Sequence, residues 1–316
     1  MNSKNMDVIV IGELNVDLIL NNIDSFPEMG KEKLAHKMDL VLGSSSAIFA
    51  SNLSSLGAKV GFIGKIGNDI FGNLVKESLK SKNVQIELLK IDDKLKTGAT
   101  IVLNFDEDRA MVTHTGAMEH LTIDDINPEE LAKAKHLHVS SVFLQPGIKN
   151  NIVEIFRMAK EKGLTTSLDP QWDPAEKWDL DLEKLLPLVD VFIPNEEEIK
   201  HLTGKQNVND AIDMLNGFAN TIVVKMGSKG SVSLRKGQLN MEPAFLNKNV
   251  VDAIGAGDSF DAGFIYMFVQ GKELKECQRF GNLMGALNTT AAGGTAAFTN
   301  FSEIMEKAKN YFNYDY

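Results

Sequence analysis

The strongest constraint on the fold is a regular alternation along the chain between short apolar runs and longer amphipathic segments. The apolar runs, rich in β-branched residues, lie at 8–11, 60–63, 136–140, 165–168, 191–193 and 222–225. Runs of this length and continuity are typical of strands buried on both faces of a parallel sheet. Segments with helical spacing follow at 47–56, 70–81, 149–162, 207–218 and 273–292. The alternation predicts an α/β fold with a doubly wound, mostly parallel central sheet flanked by helices.

Two stretches, at about 15–42 and 97–116, interrupt this alternation. They alternate polar and apolar residues without an intervening helix, as in the runs 97–103 and 110–114. This period of two is typical of strands with one solvated face. We therefore predict a single domain over residues 1–316, with a small antiparallel sheet formed by these two insertions.

Composition limits the classes of partner. The formal net charge of −10, without a basic cluster, disfavours nucleic acid and anionic membrane surfaces. A lone cysteine, Cys277, cannot form an internal disulfide and is typical of a reducing compartment. No signal peptide and no apolar stretch of membrane-spanning length is visible, so we expect a cytoplasmic protein.

The residues with the clearest chemical content are 252–258, which read Asp-Ala-Ile-Gly-Ala-Gly-Asp before an apolar run with helical spacing. The N–H groups of Gly255, Ala256 and Gly257 can converge on an anion at the start of that helix, where its dipole is positive. Asp258 stands in the first turn, within reach of whatever carries the anion. An anion cradle beside a carboxylate suits phosphoryl transfer to a hydroxyl. The alternative is an ordinary loop whose acid favours the helix.

Residues 252–264 resemble the C-terminal signature of the ribokinase-like (PfkB) carbohydrate kinases, Asp-Thr-x-Gly-Ala-Gly-Asp-x-Phe-x-Ala-Gly-Phe. Only the threonine differs, and Ala253 stands in its place. Further matches follow in the family's order from about residue 8 to 298. The resemblance implies an ATP-dependent sugar kinase in which Asp258 is the base. It also implies that the small sheet is a lid over the sugar and can serve as the interface of a homodimer.

The resemblance and the predicted sheet place sugar contacts after the first strand. Asn15 and Asp17 follow this strand with the same parity, and Asp17 matches the family carboxylate that accepts hydrogen bonds from sugar hydroxyls. The alternative for the two residues is a solvated turn pair.

Polar residues that follow later strands are further candidates for substrate contacts. Ligands of open α/β sheets bind beyond the carboxyl ends of the strands, so Gln145, Asp169 and Gln171 are placed to touch a substrate. Where members acting on acidic sugars carry arginine, this chain has Asp173. We therefore expect a neutral substrate.

The family's N-terminal signature, Gly-Gly-x-x-x-Asn before a helix, is changed in this chain. Gly43 is kept, Ser44 replaces the second glycine, and Ile48 replaces the sugar-binding asparagine. The change removes one polar contact and adds apolar bulk, which puts specificity for ribose in doubt. The serines could supply hydroxyls instead, or only cap the helix.

The resemblance also assigns residues to the nucleotide and its metal. Asn195 and Glu198 match an Asn-x-x-Glu motif that holds magnesium through water, although the same spacing is a capping box. Gly227 and Gly230 match glycines next to the nucleotide.

Three further positions complete the assignments. Lys225 could approach the ATP phosphates or be an ordinary surface lysine, and Asn282 matches a position near the adenine. Asp252 matches a ligand of a monovalent cation, but the loss of the threonine at Ala253 leaves activation by potassium open.

These observations predict a kinase that transfers the γ-phosphate of Mg-ATP to a hydroxyl of a neutral free sugar. Two alternatives stay open. A nucleoside kinase of the same family would suit Ile48, because an apolar base is a better neighbour for it than a hydroxyl. A ligand-binding relative that has lost turnover would explain both Ile48 and Ala253.

Overall fold

The computed structural model describes residues 4–105 and 108–316. In chain order the strands are β1 (Met6–Ile11), β2 (Asn15–Ile23), β3 (Ala35–Leu42), β4 (Val60–Ile63), β5 (Lys65–Gly67), β6 (Lys90–Asp92), β7 (Gly98–Phe105), β8 (Asp108–His114), β9 (Ala134–Ser140), β10 (Thr165–Asp169), β11 (Val191–Phe192), β12 (Thr221–Lys225), β13 (Ser231–Arg235) and β14 (Gln238–Glu242). The α-helices are α1 (Ser45–Ser55), α2 (Ile70–Ser81), α3 (Pro128–Leu131), α4 (Pro146–Lys149), α5 (Ile152–Glu161), α6 (Leu182–Leu185), α7 (Glu196–Thr203), α8 (Val208–Leu215), α9 (Ala256–Phe268), α10 (Leu274–Asn288) and α11 (Phe301–Phe312).

The main sheet has eight strands in the order β14-β13-β12-β11-β10-β9-β1-β4. The six strands from β12 to β4 run parallel, and β13 and β14 add an antiparallel edge. The six parallel strands coincide with the six apolar runs of the sequence, so the predicted fold class is confirmed. Because parallel strands end at the same edge, the segments that follow β1, β10, β11 and β12 lie side by side.

Helices cover both faces of this sheet and create two hydrophobic cores. Alternate residues of β1 point to opposite faces: Val8 and Val10 belong to one core, and Ile9 and Ile11 to the other. The first core is completed by α1, α2, α9, α10 and α11, and the second by α3 to α8. The five helices predicted from spacing are all present. Among the described residues, no helix has the length and apolar character needed to span a membrane.

The two insertions form a four-stranded sheet in the order β3-β2-β7-β8, which we call the small sheet. Its outer pairs, β2 with β3 and β7 with β8, are antiparallel as predicted. The central pair, β2 with β7, is parallel, so the expectation of a purely antiparallel sheet is wrong at this pair. The reason is that both strands leave the main body at the same place, where Asn15 pairs with Gly98.

Close contact between α9 and α10 depends on glycine. A Cβ atom at Gly263 would lie 2.6 Å from Met284 Cγ and 3.0 Å from the Phe280 carbonyl oxygen. A Cβ atom at Gly281 would lie 3.0 Å from the Phe260 ring. The two glycines therefore let the helices approach until side chains on one touch the backbone of the other.

Substituting Gly263 by alanine should destabilise the fold, because the added methyl group displaces α10 from α9. We expect a loss of about 1–3 kcal/mol in the free energy of unfolding, the usual cost of overpacking. Urea denaturation should show a lower midpoint with an unchanged slope. Gly217→Ala is the matched control, since a Cβ atom there meets no heavy atom within 4 Å. Equal midpoints for the two variants would contradict the packing argument.

Candidate active site

Two cavities adjoin at the N-terminus of α9, beyond the carboxyl edge of the main sheet. One, of about 330 Å³, lies against α10 and is called the α10 cavity. The other, of about 530 Å³, lies beneath the small sheet and is called the small-sheet cavity. Both are lined by Lys225, Gly227, Ala253 and Gly257. A ligand in one cavity therefore meets a ligand in the other at the start of α9.

The 252–258 segment forms the junction between the cavities. Gly255 has a φ angle of +77°, and a Cβ atom there would lie 2.6 Å from Gly294 Cα, so only glycine fits. The Ala256 N–H donates to the Ala253 carbonyl oxygen at 3.2 Å. Ala256 is thus not a free donor, contrary to the sequence expectation, because the chain tightens into a turn as the helix begins. Among the described residues, the N–H groups of Gly255, Gly257 and Asp258 find no acceptor.

Asp252, the first residue of this segment, fixes its shape through its side chain. Its two carboxylate oxygens accept the N–H groups of Ile254 at 2.9 Å and Gly293 at 2.8 Å. The Ile254 carbonyl oxygen accepts a hydrogen bond from Asn288 Nδ2 at 2.6 Å. The segment is therefore held in shape by side chains of its own chain before any ligand binds.

Asp258 lies in the first turn of α9 and borders the small-sheet cavity. Its Oδ1 atom accepts a hydrogen bond from Gln171 Nε2 at 3.0 Å. Burial, followed by the negative charge of Asp169, raises the pKa of Asp258 to about 7. A carboxylate with a pKa near neutrality can take a proton from an alcohol far better than an ordinary aspartate.

Lys225 is buried between two aspartates and is not a surface lysine. Its Nζ atom lies 2.8 Å from Asp169 Oδ2 and 3.0 Å from Asp261 Oδ2. Asp169 is fully buried and borders neither cavity, so the structure places it behind the cavity walls, and a direct contact with substrate stays a prediction. The last residue of β10 points into the protein, where its charge is satisfied by Lys225.

Asn195 and Glu198 form the capping box that their spacing predicts. The Asn195 N–H and Nδ2 groups donate to the two Glu198 carboxylate oxygens at 2.8 and 2.6 Å. Asn195 Oδ1 accepts the N–H groups of Glu197 and Glu198, both at 2.9 Å. Both residues also border the small-sheet cavity. Burial, followed by the charge of Asp169, raises the pKa of Glu198 to about 8.

The polar pair after β1 lies under the small sheet. Asn15 Nδ2 donates to Asp17 Oδ1 at 3.1 Å and to Thr100 Oγ1 at 2.8 Å. Burial raises the pKa of Asp17 to about 6. A Cβ atom at Gly43 would lie 2.3 Å from Asp17 Oδ1, so glycine at this position makes room for the carboxylate. Of these residues, Asp17 borders the small-sheet cavity directly.

Ser44 and Ile48 show how the changed N-terminal signature is accommodated. Ser44 has a φ angle of +71°, a conformation that glycine adopts without strain. Its Oγ atom accepts a hydrogen bond from the Ala47 N–H at 2.9 Å and donates one to the Glu13 carbonyl oxygen at 2.6 Å. Ser44 therefore caps α1. Ile48 borders the small-sheet cavity and packs on bare backbone, since a Cβ atom at Gly294 would lie 2.4 Å from Ile48 Cδ1.

Gln145 is not among the residues that border either cavity, and its expected substrate contact stays a prediction. It is fully buried, and its Nε2 group donates to the Ser140 and Ser141 carbonyl oxygens at 3.0 and 3.2 Å. The chain folds back after β9 at Ser141, which has a φ angle of +56°. The amide is therefore used to hold this turn.

Trp172 is a cavity residue that the sequence analysis missed. It borders the small-sheet cavity and is about half exposed. Its ring meets the edge of Trp178 with the two centroids 4.9 Å apart. The sequence could have indicated it, because Trp172 lies three residues after β10 and residues that follow a strand, such as Gln171, were considered as substrate contacts.

The α10 cavity contains the remaining candidates. Gly227, Gly230 and Asn282 border it, and Asn282 Nδ2 donates to the carbonyl oxygens of Glu242 and Pro243 at 3.1 and 3.2 Å. Gly230 has a φ angle of +98°, and a Cβ atom there would lie 2.0 Å from the Glu242 carbonyl oxygen. The tight approach at Gly230 and the Asn282 amide thus fix the wall of this cavity.

Comparison with known proteins identifies the family. The model of the pfkB family carbohydrate kinases matches residues 5–300. The chain belongs to the PfkB family of carbohydrate kinases. This kinase is 29% identical over 239 residues to an uncharacterized sugar kinase from Archaeoglobus fulgidus, with 74% of this chain and 92% of the relative covered. It is 26% identical to the ribokinase of Haemophilus influenzae, with 94% and 96% covered.

The fold agrees with this assignment. The solved structure of Arabidopsis thaliana ribokinase complexed with ribose and ATP matches this kinase with a TM-score of 0.84 at 24% identity, and 96% of this chain and 99% of that chain are covered. The family resemblance drawn from residues 252–264 is therefore confirmed. This PfkB-family kinase is a phosphotransferase with an alcohol group as acceptor.

Asp258→Asn should make the protein more stable than the wild type at alkaline pH. The folded-state pKa of about 7 lies above the usual value of 3.8, so the stability linked to the Asp258 proton is present below about pH 4 and lost as the pH rises to 7. Asparagine does not carry this cost of a buried charge. We expect the difference in unfolding free energy between variant and wild type to grow in the variant's favour from pH 5 to pH 8, measured by urea denaturation. A difference independent of pH would contradict the burial of Asp258.

Proposed function

We propose that this kinase transfers the terminal phosphoryl group of Mg-ATP to a primary hydroxyl of a neutral free sugar. The observation that carries this proposal is the placement of Asp258 beside the free N–H groups of Gly255 and Gly257, at the junction of two cavities. A sugar in the small-sheet cavity and a nucleotide in the α10 cavity would meet at that junction. A ribokinase of the same fold was solved with both ribose and ATP, so a structural neighbour binds a sugar together with a nucleotide.

The α10 cavity fits a nucleotide by its shape and lining. Gly285 and Ala286 put little side-chain bulk on the α10 wall, and the Nδ2 group of Asn282 beside them holds the chain, while no donor to its Oδ1 atom is found among residues 4–105 and 108–316. Gly227 borders both cavities, where the phosphates would pass. When bound, Mg-ATP supplies the phosphoryl group and the positive charge of the metal.

Asn195 and Glu198 would hold the magnesium ion through water. Magnesium usually keeps several of its waters when it binds a protein and prefers oxygen ligands, which the Asn195 and Glu198 side chains at the cavity border offer. A cation nearby would lower the pKa of Glu198 from about 8 and favour its charged form. A monovalent cation at Asp252 would use the carboxylate lone pairs that the N–H groups of Ile254 and Gly293 leave free.

Asp258 would accept the proton of the attacking hydroxyl. The N–H groups of Gly255 and Gly257 would donate to the charge that develops on the phosphoryl oxygens, and they are oriented before the reaction starts. Asp17 would accept hydrogen bonds from other hydroxyls of the sugar, with Asn15 holding its carboxylate in place. The small sheet would act as a lid that excludes water from the phosphoryl group.

A neutral substrate is supported by the loop after β10. Asp173 stands where members acting on acidic sugars carry arginine, and its carboxylate accepts the N–H groups of Ala175, Lys177 and Trp178 at 2.7–2.9 Å. This side chain therefore stabilises the loop, and the position offers no positive charge to pair with an acidic sugar.

A nucleoside is the second candidate substrate, and one observation favours it. Apolar side chains of Ile48, Val102, Met111 and Trp172 border the same cavity as Asp17. Such a wall suits the flat face of a base as well as the apolar face of a sugar ring.

We also propose a homodimer through the outer face of the small sheet. By strand register, Met38, Leu40, Ile101 and Val112 share the face of the small sheet opposite the cavity, and each is at least 41% exposed. Exposed apolar side chains grouped on one face are typical of a protein–protein interface.

The wild-type protein should release ADP from Mg-ATP when a neutral sugar is added, and Asp258→Asn should lose this activity. Removing the base should lower kcat/KM by about 10³-fold or more, with native folding. The measurement is ADP release across pentoses, hexoses, keto-sugars, sugar acids and nucleosides, with and without potassium. Asp213→Asn, at an exposed position on α8, is the matched control and should keep full activity.

The outcomes of this panel separate the candidates. Turnover with nucleosides, together with competition by nucleosides against sugars, would support the second substrate class. ATP binding without turnover on any acceptor would support a ligand-binding relative. Full turnover by Asp258→Asn would remove Asp258 from the role of base.

Ile101→Glu should shift the protein from dimer to monomer, because it places a charge in the middle of the outer face of the small sheet. Light scattering at several protein concentrations measures the change, with Ile70→Glu, at a more exposed isoleucine on α2, as the control. A monomeric wild-type protein at all concentrations would contradict the proposed interface.

A further inference from the structure

Gln171 is the direct link between the base and the main sheet. Its Nε2 group donates to Asp169 Oδ2 at 2.6 Å and to Asp258 Oδ1 at 3.0 Å. Its φ angle of +59° is uncommon for a residue other than glycine. This backbone conformation places one amide between a carboxylate on β10 and a carboxylate on α9.

The loop that carries Gln171 is fixed at several points. The Asp173 carboxylate accepts three N–H groups from the chain that follows, and Trp172 packs on Trp178. The Gln171 N–H itself lies 3.4 Å from Asp169 Oδ1. The amide is therefore held in its bridging position without a ligand.

Asp169 is held in turn by the buried cluster with Lys225 and Asp261. Burial alone would raise the pKa of Asp169, but the Lys225 charge lowers it, whereas burial raises the pKa of Asp261 well above its usual range. Lys225 therefore favours the charged form of Asp169, whereas burial favours the neutral form of Asp261. Two of the three Lys225 donors are used within it.

We propose that Gln171 is a positioning residue that aims the Asp258 carboxylate at the substrate hydroxyl, and that the Asp169–Lys225–Asp261 cluster fixes Gln171. Lys225 then acts on the reaction mainly through this chain of hydrogen bonds rather than as a freely moving ligand of the phosphates. The inference rests on the proposed role of Asp258 as base.

The groups that face Asp258 explain why an amide is needed. Each of these groups comes from a different part of the fold. They are Glu13, Ser45, Asp169, Glu198 and Lys225. Since carboxyl groups predominate, a further carboxylate would oppose the charged form of the base. A glutamine can donate to two carboxylates and adds no charge.

Gln171→Glu and Gln171→Leu test the inference in the full-length protein, with the acceptor found active in the substrate panel. Gln171→Glu should move the acidic limb of the pH profile of kcat/KM upward by about one pH unit or more, since a like charge raises the pKa of the base. Gln171→Leu should lower kcat about tenfold or more, with the KM for ATP little changed. Gln206→Glu, the same substitution at an exposed loop position, should leave both quantities at wild-type values.

The double variant Gln171→Leu/Asp258→Asn separates this inference from the proposed function. If Gln171 acts through Asp258, leucine at 171 causes no further loss once Asp258 is asparagine. An unchanged kcat and pH profile in both single Gln171 variants, with Asp258→Asn inactive, would overturn the positioning role alone. Full turnover by Asp258→Asn would overturn the base and the positioning role together. Circular dichroism and urea denaturation establish whether each variant is folded. If Gln171→Glu does not fold, the test is made with Gln171→Leu.

Discussion

The ion cluster formed by Lys225, Asp169 and Asp261 is the interaction on which the site depends. Its members come from β12, β10 and α9, so it joins two strand ends to the helix that begins at the 252–258 segment. A buried charge that loses its partner is costly, which makes the three side chains mutually dependent. The same cluster holds Gln171, and through it the base. Electrostatic attraction, as well as packing, therefore holds α9 in a fixed position relative to the main sheet.

Glycines, whose lack of a side chain allows close approach, are the second requirement of this site. Gly255 passes against Gly294, and Gly43 leaves space for the Asp17 carboxylate. Ile48, which departs from the family pattern, rests on Gly294, so the larger side chain has a place beside the cavity without moving the 252–258 segment. The departures at Ser44 and Ile48 thus alter what borders the small-sheet cavity, whereas the Gly-Ala-Gly-Asp run at 255–258 matches the family signature.

Most of the fold could be predicted because periodicity reports which face of an element is buried. The strands β1, β4, β9, β10, β11 and β12 and the helix α2 lie where the apolar spacing placed them. The parallel pairing of β2 with β7 was missed, since strand direction depends on where each insertion leaves the body. Gln145 and Asp169 were assigned to the substrate because both follow strands, but the side chains turn inward, which spacing cannot reveal.

By itself, the sequence determined the family, the order of the elements, and the helix start at 252–258 with an acid in its first turn, because glycines before a helix act locally. The tertiary structure alone decided which polar groups are buried together. It raised the pKa of Asp258 to about 7 by burial, placed Gln171 between two carboxylates, and enclosed Lys225. The physical reason is that burial and charge pairing depend on residues far apart in the chain, whereas caps, turns and amphipathic faces depend on near neighbours.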